Sequence, residues 1–256
     1  MSRTQLLLAV CSLFLAVSAR AEKVTVAAAA DLKFAKDEIV AGFKKANPSD
    51  EVDVIYGSSG KFHTQIQQGA PYDIFFSADI GFPRELAAAG MAASEVKPYA
   101  FGRIVLWSAT QDATKLTLGS LTDPKITRVA IANPKHAPYG KRAEEALKAA
   151  GVWDKVEPKL VYGENIAQTA QYVQTANAQV GIIALSLALN AELASKGGYG
   201  MIPDNLHRPL EQGYVITKRA ASNPLAKRFG DYMGSKPARA VMTKFGFVLP
   251  GEAAAK

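Results

Sequence analysis

Val24-Thr25-Val26-Ala27-Ala28-Ala29, Leu32 to Ala46, Val52-Asp53-Val54-Ile55-Tyr56, Phe62 to Gln68 and Tyr72-Asp73-Ile74-Phe75-Phe76 follow one another with little between them. The first, third and fifth are short apolar runs of the kind that form buried strands. Leu32 to Ala46 carries Leu32, Ile39, Val40 and Phe43 at helical spacing, and Gly69 closes the helix over Phe62 to Gln68. Strand, helix, strand, helix, strand predicts a parallel sheet with crossover helices.

The same grammar continues downstream. Ile104 to Ser108, Arg128 to Ala132, Lys159 to Tyr162 and Val180 to Ala184 are strand candidates, separated by helices over Lys141 to Ala150, Ile166 to Thr175 and Leu185 to Ser195. Tyr214 to Thr217 is a further strand, and Pro224 to Gly234 and Lys236 to Phe245 are terminal helices. The expected fold class is α/β in two lobes, each a mixed, mainly parallel sheet flanked by helices. Lobe 1 takes residues 22–103 with 215–256 returning to it, and lobe 2 takes residues 104–214. No low-complexity linker separates them, so strand-like crossings near Phe101 to Val105 and Gln212 to Ile216 must join them. Ligands of such sheets bind at the carboxyl ends of strands, in a crevice between units.

Residues 1–21 read as a cleaved export signal. Arg3 supplies the positive start, Leu6 to Val17 is apolar but too short to span a bilayer, and Ala19-Arg20-Ala21 fits the small-x-small cleavage rule. The mature chain is then expected in the periplasm. Its loss removes two arginines, no acid, and the only cysteine, Cys11, leaving 28 basic against 23 acidic residues, or +5. A disulfide framework and a thiolate metal site are excluded, and His63, His136 and His207 are too scattered to suggest a zinc cluster. The lysines are dispersed and accompanied by acids at Asp37, Glu38, Glu144 and Glu145, which argues against nucleic acid.

Four strand-to-helix junctions carry small residues and backbone donors: Ala30-Asp31, Gly57-Ser58-Ser59-Gly60, Asn133-Pro134 with Ala137-Pro138-Tyr139-Gly140, and Gly163-Glu164-Asn165-Ile166. Each presents unpaired N–H groups at the positive end of a helix, which suits a compact anion held without a buried countercharge. Enzyme motifs fail by comparison. Gly60-Lys61 lacks the earlier glycine of a phosphate loop, since residue 55 is isoleucine, and Phe62 stands where serine or threonine belongs. Gly57 to Gly60 is not a nucleophile elbow, and Glu144-Glu145 point to different helix faces. His63, one helical turn from Ser59, leaves an exported serine hydrolase as an alternative, against a solvent-facing histidine.

The chain resembles the periplasmic molybdate-binding proteins of ABC importers over nearly its whole mature length. The resemblance rests on Val26-Ala27-Ala28-Ala29-Ala30, Gly57-Ser58-Ser59-Gly60, Gly69-Ala70-Pro71-Tyr72-Asp73-Ile74-Phe75-Phe76-Ser77-Ala78-Asp79, Asn133-Pro134 with Ala137-Pro138-Tyr139-Gly140, and Gly181-Ile182-Ile183-Ala184-Leu185-Ser186. It implies a type II periplasmic binding protein that closes by a hinge around molybdate, with tungstate as a second ligand. It also implies a monomer with no cofactor and no catalytic role, which delivers its cargo to the membrane subunits of an ABC permease. Another tetrahedral oxyanion, such as sulfate, thiosulfate or chromate, is the alternative ligand.

The same resemblance places the anion's contacts at Asp31, Ser59, Tyr139 and Ile166, with no direct protein ligand to molybdenum. Ser59 is expected to give hydroxyl and backbone donors, Tyr139 a donor from lobe 2, and Ile166 its amide, with Ala30 beside them. Two positions depart from the pattern. Many relatives have serine or asparagine at Asp31, and some have a tyrosine at Ala184, whose phenol Tyr139 is expected to replace. An ionised Asp31 about 4 Å from a dianion would cost on the order of several kcal/mol. The expectation is that Asp31 turns back to cap its own helix. The other possibilities are a protonated carboxyl, acceptance of the Tyr139 hydroxyl, or a different ligand. A cavity of donors alone rejects protonated phosphate, whereas a carboxylate acceptor would tolerate it.

Overall fold

The computed structural model describes residues 22–252. The expected export signal, residues 1–21 with Cys11, lies outside them. Among the described residues no helix is long and apolar enough to cross a membrane.

Among the described residues ten strands form two five-stranded sheets. The chain opens with β1 (Lys23–Ala29), a 3-10 turn (Ala30–Leu32), α1 (Lys33–Ala46), β2 (Glu51–Gly57), α2 (Ser59–Gln67), β3 (Ile74–Ser77), α3 (Gly81–Ala88) and β4 (Lys97–Gly102). The second unit contains β5 (Ile104–Ser108), β6 (Val129–Ala132), α4 (Pro138–Ala149), the single turn α5 (Trp153–Val156), β7 (Leu160–Gly163), α6 (Ile166–Gln174), β8 (Val180–Ala184), the short α7 (Leu185–Ala188) and α8 (Ala191–Ala194), and β9 (Gly198–Met201). The chain then returns through β10 (Leu210–Ile216) to α9 (Pro224–Tyr232) and α10 (Lys236–Lys244).

The first sheet runs β2-β1-β3-β10-β4, with β1 parallel to β2 and β3 and β10 antiparallel to β3 and β4. The second runs β7-β6-β8-β5-β9, with β6 parallel to β7 and β8 and β5 antiparallel to β8 and β9. The mixed, mainly parallel two-lobed α/β class expected from the sequence is therefore the fold observed.

Burial on both faces explains why β1 lacks polar alternation. Val24, Val26 and Ala28 pack with Leu32, Ile39 and Phe43 on one side, while Ala27 packs with Phe62, Phe75 and Leu86 on the other. The first crossing is the two-residue step from Gly102 to Ile104. The second precedes Leu210, so the expected boundary at residue 215 falls inside β10. The helix expected over Leu185 to Ser195 is broken in two, because the Asn190 side chain accepts from the Glu192 amide and starts a new helix. α3, β4 and β9 were not expected. Pro98 in β4 and two glycines in the four residues of β9 hide them from a propensity reading.

One ionisable group sits wholly inside the first lobe. Lys36 on α1 is fully buried; its Nζ donates to Met233 Sδ at 3.0 Å and lies 3.3 Å from the centre of the Phe76 ring. Burial pushes its pKa well below the ordinary 10.5, against the attraction of Asp31. The folded state thus holds fewer protons than the unfolded chain over that interval, and stability rises with pH towards the ordinary lysine range. Lys36→Met should raise stability by on the order of 1–3 kcal/mol near neutral pH. Thermal melts at several pH values should show that gain narrowing as pH rises.

Candidate functional site

The carboxyl end of β1 leads into the 3-10 turn, and the ends of β2, β6 and β7 lead to the N-termini of α2, α4 and α6. These four junctions meet. Ala29, Ala30 and Asp31, Gly57 to Ser59 and Ala78 from lobe 1 enclose one small cavity with Ala137 to Tyr139, Asn165 and Ile166 from lobe 2. All four expected site residues, Asp31, Ser59, Tyr139 and Ile166, line it, and no lysine or arginine does. A larger pocket of about 220 Å³ lies at the hinge, lined mainly by apolar residues such as Phe101, Leu210 and Val248.

Local sequence leaves the right amides unspent. Asn165, the N-cap of α6, accepts from the amides of Ala167 and Gln168 at 3.0 Å each, which passes over Ile166, the first residue of the helix. Pro138 opens α4 without an N–H, so Tyr139 carries the first amide there. Ser58 caps nothing on α2; its hydroxyl donates across the cleft to the His136 carbonyl at 2.5 Å. Ser59 Oγ accepts from the Ala78 amide at 3.0 Å, which leaves its own proton for a ligand. First-turn amides of Ser59, Tyr139 and Ile166 have no acceptor in their own helices, and three helix dipoles add to their partial positive charge.

Asp31 does not cap its helix. Its side chain makes no capping bond, and Oδ2 instead accepts the Tyr139 hydroxyl at 3.0 Å and the Gln212 Nε2 at 2.7 Å. Of the readings weighed from the sequence, acceptance of the Tyr139 hydroxyl is the one observed; a donor from across the cleft and one from β10 of the same lobe replace a local cap. Burial pushes the Asp31 carboxyl up to about 6, opposed by the hydrogen bonds from Gln212 and Tyr139, its own backbone amide and the charge of Lys36. Burial and Asp31 likewise hold the Tyr139 phenol well above the ordinary value. In this structure the Tyr139 hydroxyl, expected to replace the phenol missing at Ala184, donates to Asp31.

The lobes are joined around the cavity by contacts that sequence reasoning missed. The Gly60 amide donates to the His136 carbonyl at 2.9 Å, and His136 Nδ1 lies 3.0 Å from Ser58 Oγ. Ser186 Oγ donates to the Asp31 carbonyl at 2.7 Å, Lys61 pairs with Glu164, and Arg142 Nη2 lies 3.5 Å from Asp79 Oδ2. Desolvation lowers the His136 pKa, with Glu164 opposing and Lys61 adding to the effect. Gln212 is buried in a strand, where only its polarity among apolar neighbours could have flagged it.

His63 is not solvent-facing. It is buried against the Phe82 ring at 5.0 Å, with Nε2 3.2 Å from Glu85 Oε2. That nitrogen faces Glu85, and the described residues show no hydrogen bond between His63 and Ser59 of the kind a serine nucleophile needs. Among the described residues no group of three or more His, Cys, Asp or Glu is placed to hold a metal ion.

A cleft between two α/β lobes, lined by helix ends and bridged by side chains from both, defines a protein that closes on a small ligand. Residues 24–248 match the bacterial extracellular solute-binding proteins, and the chain belongs to that family. It is 37% identical to the molybdate-binding protein ModA of Rhodobacter capsulatus over 91% of either chain. It is 34% identical to that of Azotobacter vinelandii over 97% of this chain and 98% of the relative. The solved Azotobacter vinelandii periplasmic molybdate-binding protein matches with a TM-score of 0.83 at 31% identity, covering 89% of this chain and 99% of that one.

Closure has a steric requirement at Gly60, where a Cβ would lie 2.6 Å from the His136 carbonyl oxygen. Gly60→Ala should fold but keep the lobes apart. Small-angle scattering should give it a larger radius of gyration than the parent under conditions that close the parent.

Proposed function

We propose that this chain captures molybdate, with tungstate as a second ligand, between its lobes and hands it to the membrane subunits of an ABC permease. The observation that carries this reading is the convergence of the α2, α4 and α6 N-termini on one small cavity lined by no basic side chain. Such a site holds a compact anion through fixed neutral donors. The Ser59 hydroxyl and the amides of Ala30, Ser59, Tyr139 and Ile166 are the proposed donors, meeting the oxygens of the anion and never the molybdenum. The identity to molybdate-binding relatives over nearly the full chain supports the choice of oxyanion.

In this reading residues 1–21 direct export and are removed, and the mature chain acts in the periplasm as a monomer without cofactor or catalytic step. Selection follows from fixed geometry. Sulfate is smaller than molybdate, so donors set rigidly for the larger ion cannot all reach it. Calorimetric titration of ligand-free protein should give tight one-to-one binding of molybdate and tungstate and none of sulfate; sulfate binding with silence towards molybdate would overturn the ligand assignment. Ser59→Ala should weaken molybdate about 10- to 100-fold, the range for one hydrogen bond to a charged group.

A further inference from the structure

Asp31 is the one carboxylate among the residues that line the anion cavity, and its two oxygens differ. Oδ2 accepts from both Tyr139 and Gln212, whereas Oδ1, equally buried, has no hydrogen-bond partner among the described residues. The residue as a whole is 1% exposed. An ionised carboxylate would leave a charged oxygen dry and unpaired beside the place proposed for a dianion. A carboxylic acid would instead have a carbonyl-like Oδ2 saturated by two donors and an Oδ1–H in need of an acceptor. An oxyanion is such an acceptor.

We propose that Asp31 binds the captured oxyanion as a neutral acid, with Oδ1–H donating to an anion oxygen, so that each anion captured by protein whose Asp31 is ionised brings one proton with it. The inference rests on the oxyanion reading of the cleft and deepens it. The proton comes from solvent and stays on Asp31 until the lobes part. The rest of the lining agrees, since with Asp31 neutral every polar contact proposed for the anion is a donor, and a protonated oxyanion such as phosphate finds no acceptor.

The groups facing Asp31 favour this. The ionisable ones are Lys36 on α1, Tyr99 on β4 and Tyr139 on α4. Burial holds both phenols well above their ordinary pKa, so neither carries charge near neutral pH, and it lowers that of Lys36, whose attraction burial outweighs at Asp31. Ile166 on α6, Ser186 on α7 and Gly57 on β2, also close by, are not ionisable. Before any anion enters, burial already carries the Asp31 carboxyl to about 6. A dianion alongside can only raise it further.

The linkage has a definite sign. Bound protein holds the proton and free protein has lost it above about pH 6, so affinity falls as pH rises, by about tenfold per unit. His136, whose pKa desolvation lowers from the ordinary 6.5, also lies beside the cleft, so the experiment must separate the two groups.

The test is calorimetry of the full mature protein with sodium molybdate from about pH 6 to about pH 8.5, in buffers of low and high ionisation enthalpy. The expected result is uptake of close to one proton per anion at the alkaline end, with affinity falling along the series. In Asp31→Asn, whose amide donates without a proton from solvent, uptake should vanish and the affinity should become flat with pH. Tight binding by the parent without proton uptake would overturn the proposal, as would wild-type uptake persisting in Asp31→Asn. Failure of the parent to bind molybdate at any pH would instead sink the oxyanion assignment itself, and the proposal with it.

Discussion

Asp31 Oδ2 receives one hydrogen bond from Tyr139 on lobe 2 and one from Gln212 on β10, and this buried node is where the cleft, the hinge and both lobes meet. The Gln212 amide also reaches the Tyr139 hydroxyl at 3.1 Å, so the three polar groups form a closed set. Gly102, the last residue before the first crossing, packs directly on them; a Cβ there would overlap the Tyr139 hydroxyl and the Gln212 amide. The crossing therefore cannot shift without disturbing the node. In a low-dielectric interior such a network is strong when complete and costly when a member is lost.

The remaining contacts between lobes are of another kind. Lys61 with Glu164 is about half exposed, Arg142 with Asp79 is long, and Ser58 meets His136 through one hydroxyl. The exposed Lys61 pair contributes little, while the buried Ser186 hydroxyl, donating to the Asp31 carbonyl, belongs with the node. A binding protein must open again to release its cargo, and a closed state held by one buried node and several modest contacts is compatible with that. A large apolar interface would not be.

Neutral donors at helix ends also explain the pattern of charge. Lysine or arginine in the cavity would attract any anion and adapt to its size, because long side chains move. Backbone amides at the starts of α2, α4 and α6 are fixed by the helices that carry them. Their partial charges come from groups that every helix leaves unpaired. The net positive charge of the chain is instead spread over its surface, as in the pairs Lys33 with Asp37 and Lys148 with Glu144.

Local chemistry determined much of this protein from sequence alone. Apolar runs too short for helices fixed β1, β2, β5 and β8 nearly to the residue, because strand formation there needs only a continuous buried stretch. Asn165 marked the start of α6, since a cap acts within a few residues, whereas α2 and α4 begin three residues before the expected Phe62 and Lys141, at Ser59 and Pro138, because the expected turns already belong to the first helical turn. The four junctions could be named from such local signals, and the family resemblance picked Asp31, Ser59, Tyr139 and Ile166 within them. What each side chain does was decided only in three dimensions. Asp31 is drawn from its own helix by partners 108 and 181 residues away, His63 is turned from solvent to Phe82, and Gln212 joins the node through a strand whose register the sequence does not display. Hydrogen bonds between lobes depend on where two separately folded sheets come to rest, and no local preference encodes that distance.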